Sequence, residues 1–211
     1  MSFKTEQEDF WAGDFGNEYI NRNHGEKTIA SNINFFTKSL SQAKGVKSCI
    51  EFGANLGLNL RALSLLFPGI DVHAVEINTE ACNHLEKFIH SSNVYNQSIL
   101  DFSPNKKYEL TLVKGFLIHI NPDHLKTVYE KLVASTCRYL MVAEYYNPLP
   151  STVTYRGHED RLFKRDFAGE ILDQFPELQL VDYGFFYHRD SKFPQDDITW
   201  FLLEFNTLGK C

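Results

Sequence analysis

The chain lacks several things that would place it quickly. No apolar run approaches the ~20 residues a bilayer-spanning helix needs, so membrane insertion by a helix is excluded. Cysteine is sparse: Cys49, Cys82, Cys137 and Cys211 are scattered without paired spacing. That pattern offers no metal site, and Cys49 and Cys137, in apolar strand patterns, read as buried thiols of a chain kept in a reducing cytoplasm. No long basic cluster is present: net charge is −6, and Arg161, Lys164 and Arg165 are interleaved with Glu159, Asp160 and Asp166. A nucleic-acid substrate is therefore disfavoured. The first ten residues are polar and acidic, unlike a secretory signal. There is no internal repeat and no low-complexity linker. What remains is a 211-residue chain, 43% hydrophobic and 23% charged, the profile of one soluble domain over residues 1–211 with a substantial core.

The most informative stretch runs from Cys49 to Leu60. An apolar run (Val46, Cys49, Ile50, Phe52) carries an acid, Glu51, at its end. A glycine turn follows, and then a helical pattern of Leu58, Ala62, Leu65 and Leu66. This predicts a strand, a tight loop and a helix. Gly53 and Gly57 would let backbone approach a ligand, and the helix N-terminus would offer free N–H groups. A second apolar run, Ile70 to Val75, ends in Glu76, nineteen residues after Gly57. An acid there can accept both hydroxyls of an adenosine ribose.

Spacing decides between adenosine cofactors. A dinucleotide fingerprint starting at Gly53 needs glycine at 55 and 58, where the chain has Asn55 and Leu58. The pattern [DE]-x-G-x-G-x-G finds Glu51, Gly53 and Gly57, with Asn55 as its one departure. Asparagine tolerates positive φ and can stand for a turn glycine. The loop resembles the nucleotide loop of class I S-adenosylmethionine-dependent methyltransferases, which implies S-adenosylmethionine as cofactor.

Along the chain, residues 26–43 read as a helix. Strands are expected near 46–51, 70–75, 93–99, 108–113 and 138–143, with helices between them. Asn78 or Thr79 caps one helix, and Asn121-Pro122-Asp123 starts another. The alternation predicts an α/β, doubly wound, parallel sheet. After a helix at about 164–174, runs at 178–187 and 197–205 lack an intervening helix and predict a C-terminal antiparallel hairpin. The resembled class has such a seven-stranded, mostly parallel, Rossmann-like sheet. The expected layout is an N-terminal helical cap over 1–43 and a core over 44–211 carrying a lid-like loop at 145–163.

Ligands of such sheets bind beyond the C-terminal strand ends. Behind the third strand, Asp101 or Ser98 is expected at the adenine amino group, with a loop cap as the alternative for Asp101. Behind the fourth come Lys114, Gly115, Phe116 and His119, the last pointing into the pocket or held to backbone. Residues 10–23 are dense in aromatics, and Trp11, Tyr19 and Arg22 are expected over the methionine end of the cofactor. Aromatic faces favour the sulfonium and an arginine fork favours the carboxylate. A plain hydrophobic clasp is the alternative. Tyr145 and the stretch Tyr155-Arg156-Gly157-His158 face the expected mouth. Methyl transfer needs alignment and, for a hydroxyl or ammonium acceptor, a proton acceptor. Tyr155, His158 and Asp160 have that chemistry, His119 is the next candidate, and Arg156 suits an acidic acceptor.

The stretches Phe10–Gly16, Tyr19–Asn23, Leu117–Pro122 and Tyr155–His158 resemble, over nearly the whole chain, the pseudaminic-acid-biosynthesis-associated methyltransferases. The resemblance implies a bacterial enzyme acting on a small, acidic, sugar-type metabolite of surface-glycan (nonulosonic acid) biosynthesis; the cytoplasmic setting and the expectation of no metal come from the cysteine pattern above. A non-catalytic cofactor-binding protein and a nicotinamide-dependent oxidoreductase are the alternatives.

Overall fold

A computed structural model describes residues 3–20 and 25–206. Five strands form the parallel part of the sheet, and the central ones among them carry near-continuous apolar runs, as strands buried on both faces must. The five are β1 (Ser48–Phe52), β2 (Asp71–Glu76), β3 (Val94–Asn96), β4 (Tyr108–Lys114) and β5 (Thr136–Glu144). All pair in parallel, and two C-terminal strands, β8 (Leu178–Phe186) and β9 (Ile198–Phe205), join antiparallel. The order across the sheet is β3-β2-β1-β4-β5-β9-β8, with β9 inserted between β5 and β8. The seven-stranded, mostly parallel sheet with its C-terminal hairpin is the expected one. The chain reverses its direction of growth between β1 and β4, which puts the switch point at their C-terminal ends.

Helices cover both faces. Phe35 and Phe36 of α3 (Glu26–Ser39), Leu60 and Leu63 of α4 (Leu58–Leu66) and Leu85 of α5 (Thr79–Leu85) pack with Cys49, Leu110 and Met141. On the opposite face, Val128 and Leu132 of α6 (Leu125–Ser135) and Phe167 and Ile171 of α7 (Phe167–Gln174) pack with Ile50, Val113 and Leu140. The caps follow the sequence. The Asn78 side chain accepts from the Ala81 N–H, and Asn121 accepts from the Asp123 N–H ahead of Pro122. Two short helices, α1 (Glu6–Ala12) and α2 (Asp14–Ile20), precede α3.

Two expectations need correction. The segment expected as an irregular lid holds an antiparallel ribbon, β6 (Ser151–Tyr155) and β7 (His158–Lys164). Its turn is Arg156-Gly157, at φ +50° and +86°, and two successive positive φ values are what a two-residue hairpin turn requires. Thr152, Val153 and Thr154 favour strand but are all exposed, so no apolar–polar alternation marks them. Cys49 and Cys82 are buried free thiols, whereas Cys137 is disulfide-bonded. No helix among the described residues is long and apolar enough to cross a membrane, and those residues hold no cluster suited to a metal ion.

Candidate active site at the C-terminal strand ends

A cavity opens at the switch point, with about 930 Å³ of empty space when the open solvent at its mouth is included. Its floor comes from the loops after β1 (Gly53, Asn55), β2 (Glu76, Ile77, Asn78), β3 (Ser98, Ile99, Leu100) and β4 (Gly115, Phe116, His119, Ile120). Its roof comes from α1 and α2, through Glu8, Trp11, Gly16, Tyr19 and Ile20.

The loop after β1 is held in an unusual backbone shape. Gly53, Asn55 and Gly57 sit at φ +72°, +47° and +69°, so Asn55 takes the left-handed conformation of a turn glycine. A Cβ on Gly53 would lie 2.3 Å from Cδ2 of Phe116. Gly53 is thus small to admit a cavity-lining ring. Gly57 has a different reason from the one expected. It lies off the cavity, and its Cβ would meet Leu85 and Phe88 at 2.5 Å, so it serves the packing of α4 on α5.

Glu76 ends β2 almost fully buried. Its carboxylate accepts the Asn55 N–H (2.7 Å) and the Asn78 N–H (2.8 Å). Burial pushes its pKa up, and the backbone donors pull against that. The acid therefore staples two ligand loops together and still presents lone pairs to the cavity. Glu144, at the end of β5, does the same for the loop after β4. It accepts from the N–H groups of Phe116, Leu117 and Ile118, with burial pushing its pKa up to about 7. The sequence reading missed this role, although the strand-end acid repeats the placement of Glu51 and Glu76.

Glu51 and Lys114 lie off the cavity lining, toward the face covered by α3. Glu51 accepts from Asn59 Nδ2 at 2.6 Å, while its Oε2 is buried without a partner among the described residues. Burial raises its pKa to about 8, against the pull of Asn59 and Lys114. Lys114 holds its ammonium 5.4 Å from the Phe35 ring centre. Burial lowers its pKa, and Glu51, Asp196 and Glu144 oppose that.

Of the adenine candidates, Ser98 lines the cavity and is buried, its Oγ accepting from the Leu100 N–H. Asp101 is turned outward, paired with Lys4. Asp101 and the Leu100 carbonyl thus tie Lys4 of the N-terminal segment to the loop after β3, and Asp101 takes no part in the cavity lining. Trp11, Tyr19, His119 and Tyr155 come together as one aromatic group. Trp11 lies 5.3 Å from Tyr19 and 4.5 Å from His119, and His119 lies 5.1 Å from Tyr155, between ring centres. Tyr155 backs this group from the ribbon rather than lining the cavity. His119 Nδ1 contacts the Arg161 carbonyl oxygen at 2.7 Å. A carbonyl can only accept, so Nδ1 carries the proton and Nε2 keeps its lone pair. Burial pushes the His119 pKa down to about 4, so the ring is neutral at physiological pH. His119 is thus both at once: a backbone-anchored residue and a cavity wall.

The other ribbon candidates lie elsewhere. His158 is exposed and packs on Phe10 and Phe15, 5.0 and 5.6 Å between ring centres. Arg156 is exposed at the turn, with its guanidinium 5.7 Å from the Tyr155 ring centre. Tyr145 lies between the two core clusters beside Asp196, and burial, with that acid, raises its pKa. Arg22 lies outside the described residues. The sequence reading missed Thr5 and Glu8, which close a reciprocal cap at the start of α1. The pattern Thr5-x-x-Glu8 is the signal for it.

With this geometry in hand, comparison with solved structures is informative. A 1,6-didemethyltoxoflavin-N1-methyltransferase of Burkholderia thailandensis, with its substrate and S-adenosylhomocysteine bound, aligns over 98% of this chain and 92% of its own, with TM-score 0.71 and 13% identity. The magnesium protoporphyrin IX methyltransferase of Synechocystis PCC 6803, with S-adenosylmethionine bound, aligns over 98% and 100%, with TM-score 0.66 and 10% identity. An S-adenosylmethionine-dependent methyltransferase of Archaeoglobus fulgidus aligns over 90% and 100%, with TM-score 0.65 and 12% identity. The chain has the class I methyltransferase fold. No protein-family model and no curated protein matches the sequence. At such identities the similarity speaks for the methyltransferase fold alone.

Proposed function

We propose that the chain is an S-adenosylmethionine-dependent methyltransferase. The observation that carries this reading is Glu76 at the tip of β2, facing a cavity that begins at the left-handed loop Gly53–Gly57 and sits at the switch point. The residues present fit the cofactor. Glu76 takes the ribose hydroxyls, Phe116 and Ile77 flank the base, and Trp11 and Tyr19 face the sulfonium. Two buried polar atoms of the cavity lining, Glu8 Oε1 and Trp11 Nε1, have no partner among the described residues and offer it one acceptor and one donor. On the far side of the loop, Lys114 supplies a positive charge for the carboxylate of the amino-acid end, and Glu51, which keeps its proton up to a pH of about 8, supplies hydrogen-bonding capacity; Arg22, the other residue proposed for that carboxylate, lies outside the described residues.

When bound, the cofactor supplies a methyl group activated by positive sulfur. The chain's own task is to align the acceptor and, for a hydroxyl or ammonium, take its proton. Neutral His119 can accept a hydrogen bond from an acceptor hydroxyl, with Tyr155 against its ring. Its depressed pKa makes it a weak base, suited to orientation. Arg156 and Tyr145 are the residues proposed to contact the acceptor.

For the acceptor we propose a small, acidic, sugar-type metabolite of bacterial surface-glycan biosynthesis, handled in the cytoplasm. This rests on the resemblance of residues 10–23 and 155–158 to the pseudaminic-acid-associated enzymes. The structural neighbours act on chemically diverse molecules by their names, a toxoflavin precursor and a porphyrin among them. Thermal-shift titration with S-adenosylhomocysteine, NAD and NADP tests the cofactor: stabilisation by the first alone supports the reading, and stabilisation by a nicotinamide cofactor instead refutes it. Transfer of labelled methyl groups to acidic nine-carbon sugars, free and nucleotide-linked, tests the acceptor. Transfer only to acceptors of another class would overturn the sugar assignment.

A further inference from the structure

One carboxylate in the roof has half of its hydrogen-bonding capacity spoken for and half of it free. Glu8 belongs to α1 and is 9% exposed. Its Oε2 accepts from the backbone N–H groups of Lys4 (2.7 Å) and Thr5 (2.8 Å), and Thr5 Oγ1 accepts in return from the Glu8 N–H. The geometry of the side chain is therefore locked by the cap. Its Oε1 is buried and has no partner among the described residues, and the residue lines the cavity. A fixed, desolvated acceptor of this kind is costly unless something donates to it.

The position of Glu8 within the cavity says which part of a ligand would donate. The start of α1 is tied to the loop after β3, where the Lys4 ammonium donates to the Leu100 carbonyl at 3.3 Å. It is tied to the loop after β4 as well, where Asn121 Nδ2 donates to Gln7 Oε1 at 3.3 Å. Glu8 thus stands over Ser98–Leu100 and Ile120–Asn121, the end of the cavity beyond Glu76 as seen from the Gly53 loop. A nucleoside whose ribose rests on Glu76 would place its base at this end. Asp101, the acid that sequence position favoured for the base, is turned outward and paired with Lys4.

We propose that Glu8 reads the exocyclic amino group of the cofactor's purine, accepting its N–H at Oε1, and so makes the site selective for 6-amino over 6-oxo purines. The inference rests on the cofactor reading above. A 6-oxo group would bring a second acceptor against a fixed carboxylate, leaving both unpaired, whereas an amino group satisfies both. Selection by an unpaired buried polar group is the strong kind.

The test compares S-adenosylhomocysteine with S-inosylhomocysteine, its 6-oxo counterpart, by titration calorimetry. The wild-type chain should prefer the adenine compound by about 10²-fold or more. Glu8→Gln keeps an acceptor oxygen for the Lys4 and Thr5 amides and turns an NH₂ toward the cavity, which can donate to a 6-oxo group. Its preference should fall at least ~10-fold, with a ligand-free melting temperature near wild type. Thr5→Ala, which weakens the cap and leaves the carboxylate, should lower the melting temperature and keep the preference. A wild-type chain that binds both compounds equally overturns the proposal without any variant, as does Glu8→Gln with an unchanged preference. Failure of the wild-type chain to bind either compound overturns the cofactor reading and this proposal together.

Discussion

Replacing Glu76 by alanine separates two jobs that one carboxylate performs. In the ligand-free chain its oxygens accept the Asn55 and Asn78 N–H groups at 2.7 and 2.8 Å. Removing them leaves two shielded donors, each costing ~1–3 kcal/mol if left unsatisfied. Loss of a buried acid whose pKa burial has raised offsets part of this, so the net destabilisation should be about 2–4 kcal/mol. In the complex the variant also loses two charge-assisted hydrogen bonds to ribose, each worth ~1.5–3 kcal/mol. Affinity for S-adenosylhomocysteine should therefore fall by at least ~10²-fold, or about 2.7 kcal/mol. Urea denaturation without ligand reads the first effect, and titration calorimetry well below the melting temperature reads the second. Unchanged affinity would refute the ribose assignment. Unchanged stability would refute the stapling of the two loops. Loss of stability with intact affinity would make Glu76 a structural residue only.

Three further outcomes are expected. Gly53→Ala should cost about 2–4 kcal/mol, from a left-handed alanine and a Cβ pressed on Phe116; the Phe116→Ala background should recover the steric part, and equal losses in both backgrounds would show that the ring is not the obstacle. The folded chain holds the Glu51 proton up to a pH of about 8, while the unfolded chain releases it near the ordinary carboxylate value. Stability should accordingly fall as pH rises from about 4.5 to 8, by up to ~5 kcal/mol from this one group, with Glu144 adding the same sign. Glu51→Gln should flatten that decline in urea titrations, and an unaltered slope would contradict the burial of a protonated Glu51. On the acceptor side, Tyr155→Phe, Arg156→Ala and His158→Ala should keep S-adenosylhomocysteine affinity within about threefold, under ~0.7 kcal/mol. His158→Ala should also leave methyl transfer near wild type, since its ring packs on Phe10 and Phe15; a ~10²-fold loss of transfer would restore His158 as the proton acceptor.

The sheet was legible because its signals are local and repeated. Apolar runs end in acids at Glu51, Glu76 and Glu144, caps sit at Asn78 and Asn121, and a helix-free pair of runs marks the C-terminal hairpin. The ribbon was not legible, because an exposed strand such as Ser151–Tyr155 needs no apolar face, and only the Arg156-Gly157 turn marks it. Site residues divided along the same line. Glu76 ends β2, and Asn55, Ser98 and His119 fall in the loops after β1, β3 and β4, so chain order brings all four to the cavity end of the sheet. Glu8 reaches the cavity only because α1 folds back across the sheet, a tertiary event with no periodic signature. Asp101 and Ser98 were indistinguishable in sequence, and a lysine ninety-seven positions away holds Asp101 away from the cavity that Ser98 lines. Gly57 shows the limit of motif reasoning: its backbone conformation matched the expectation, while the atoms that demand it belong to α5 and Phe88 rather than to a ligand.

The central claim is that this cavity holds the nucleoside of S-adenosylmethionine, and a crystal structure of the chain with S-adenosylhomocysteine tests it most directly. The account predicts both ribose hydroxyls on Glu76, the base between Ile77 and Phe116 with its amino group at Glu8, and the sulfur beneath Trp11 and Tyr19. A ligand bound elsewhere, or a ribose that does not touch Glu76, would contradict it.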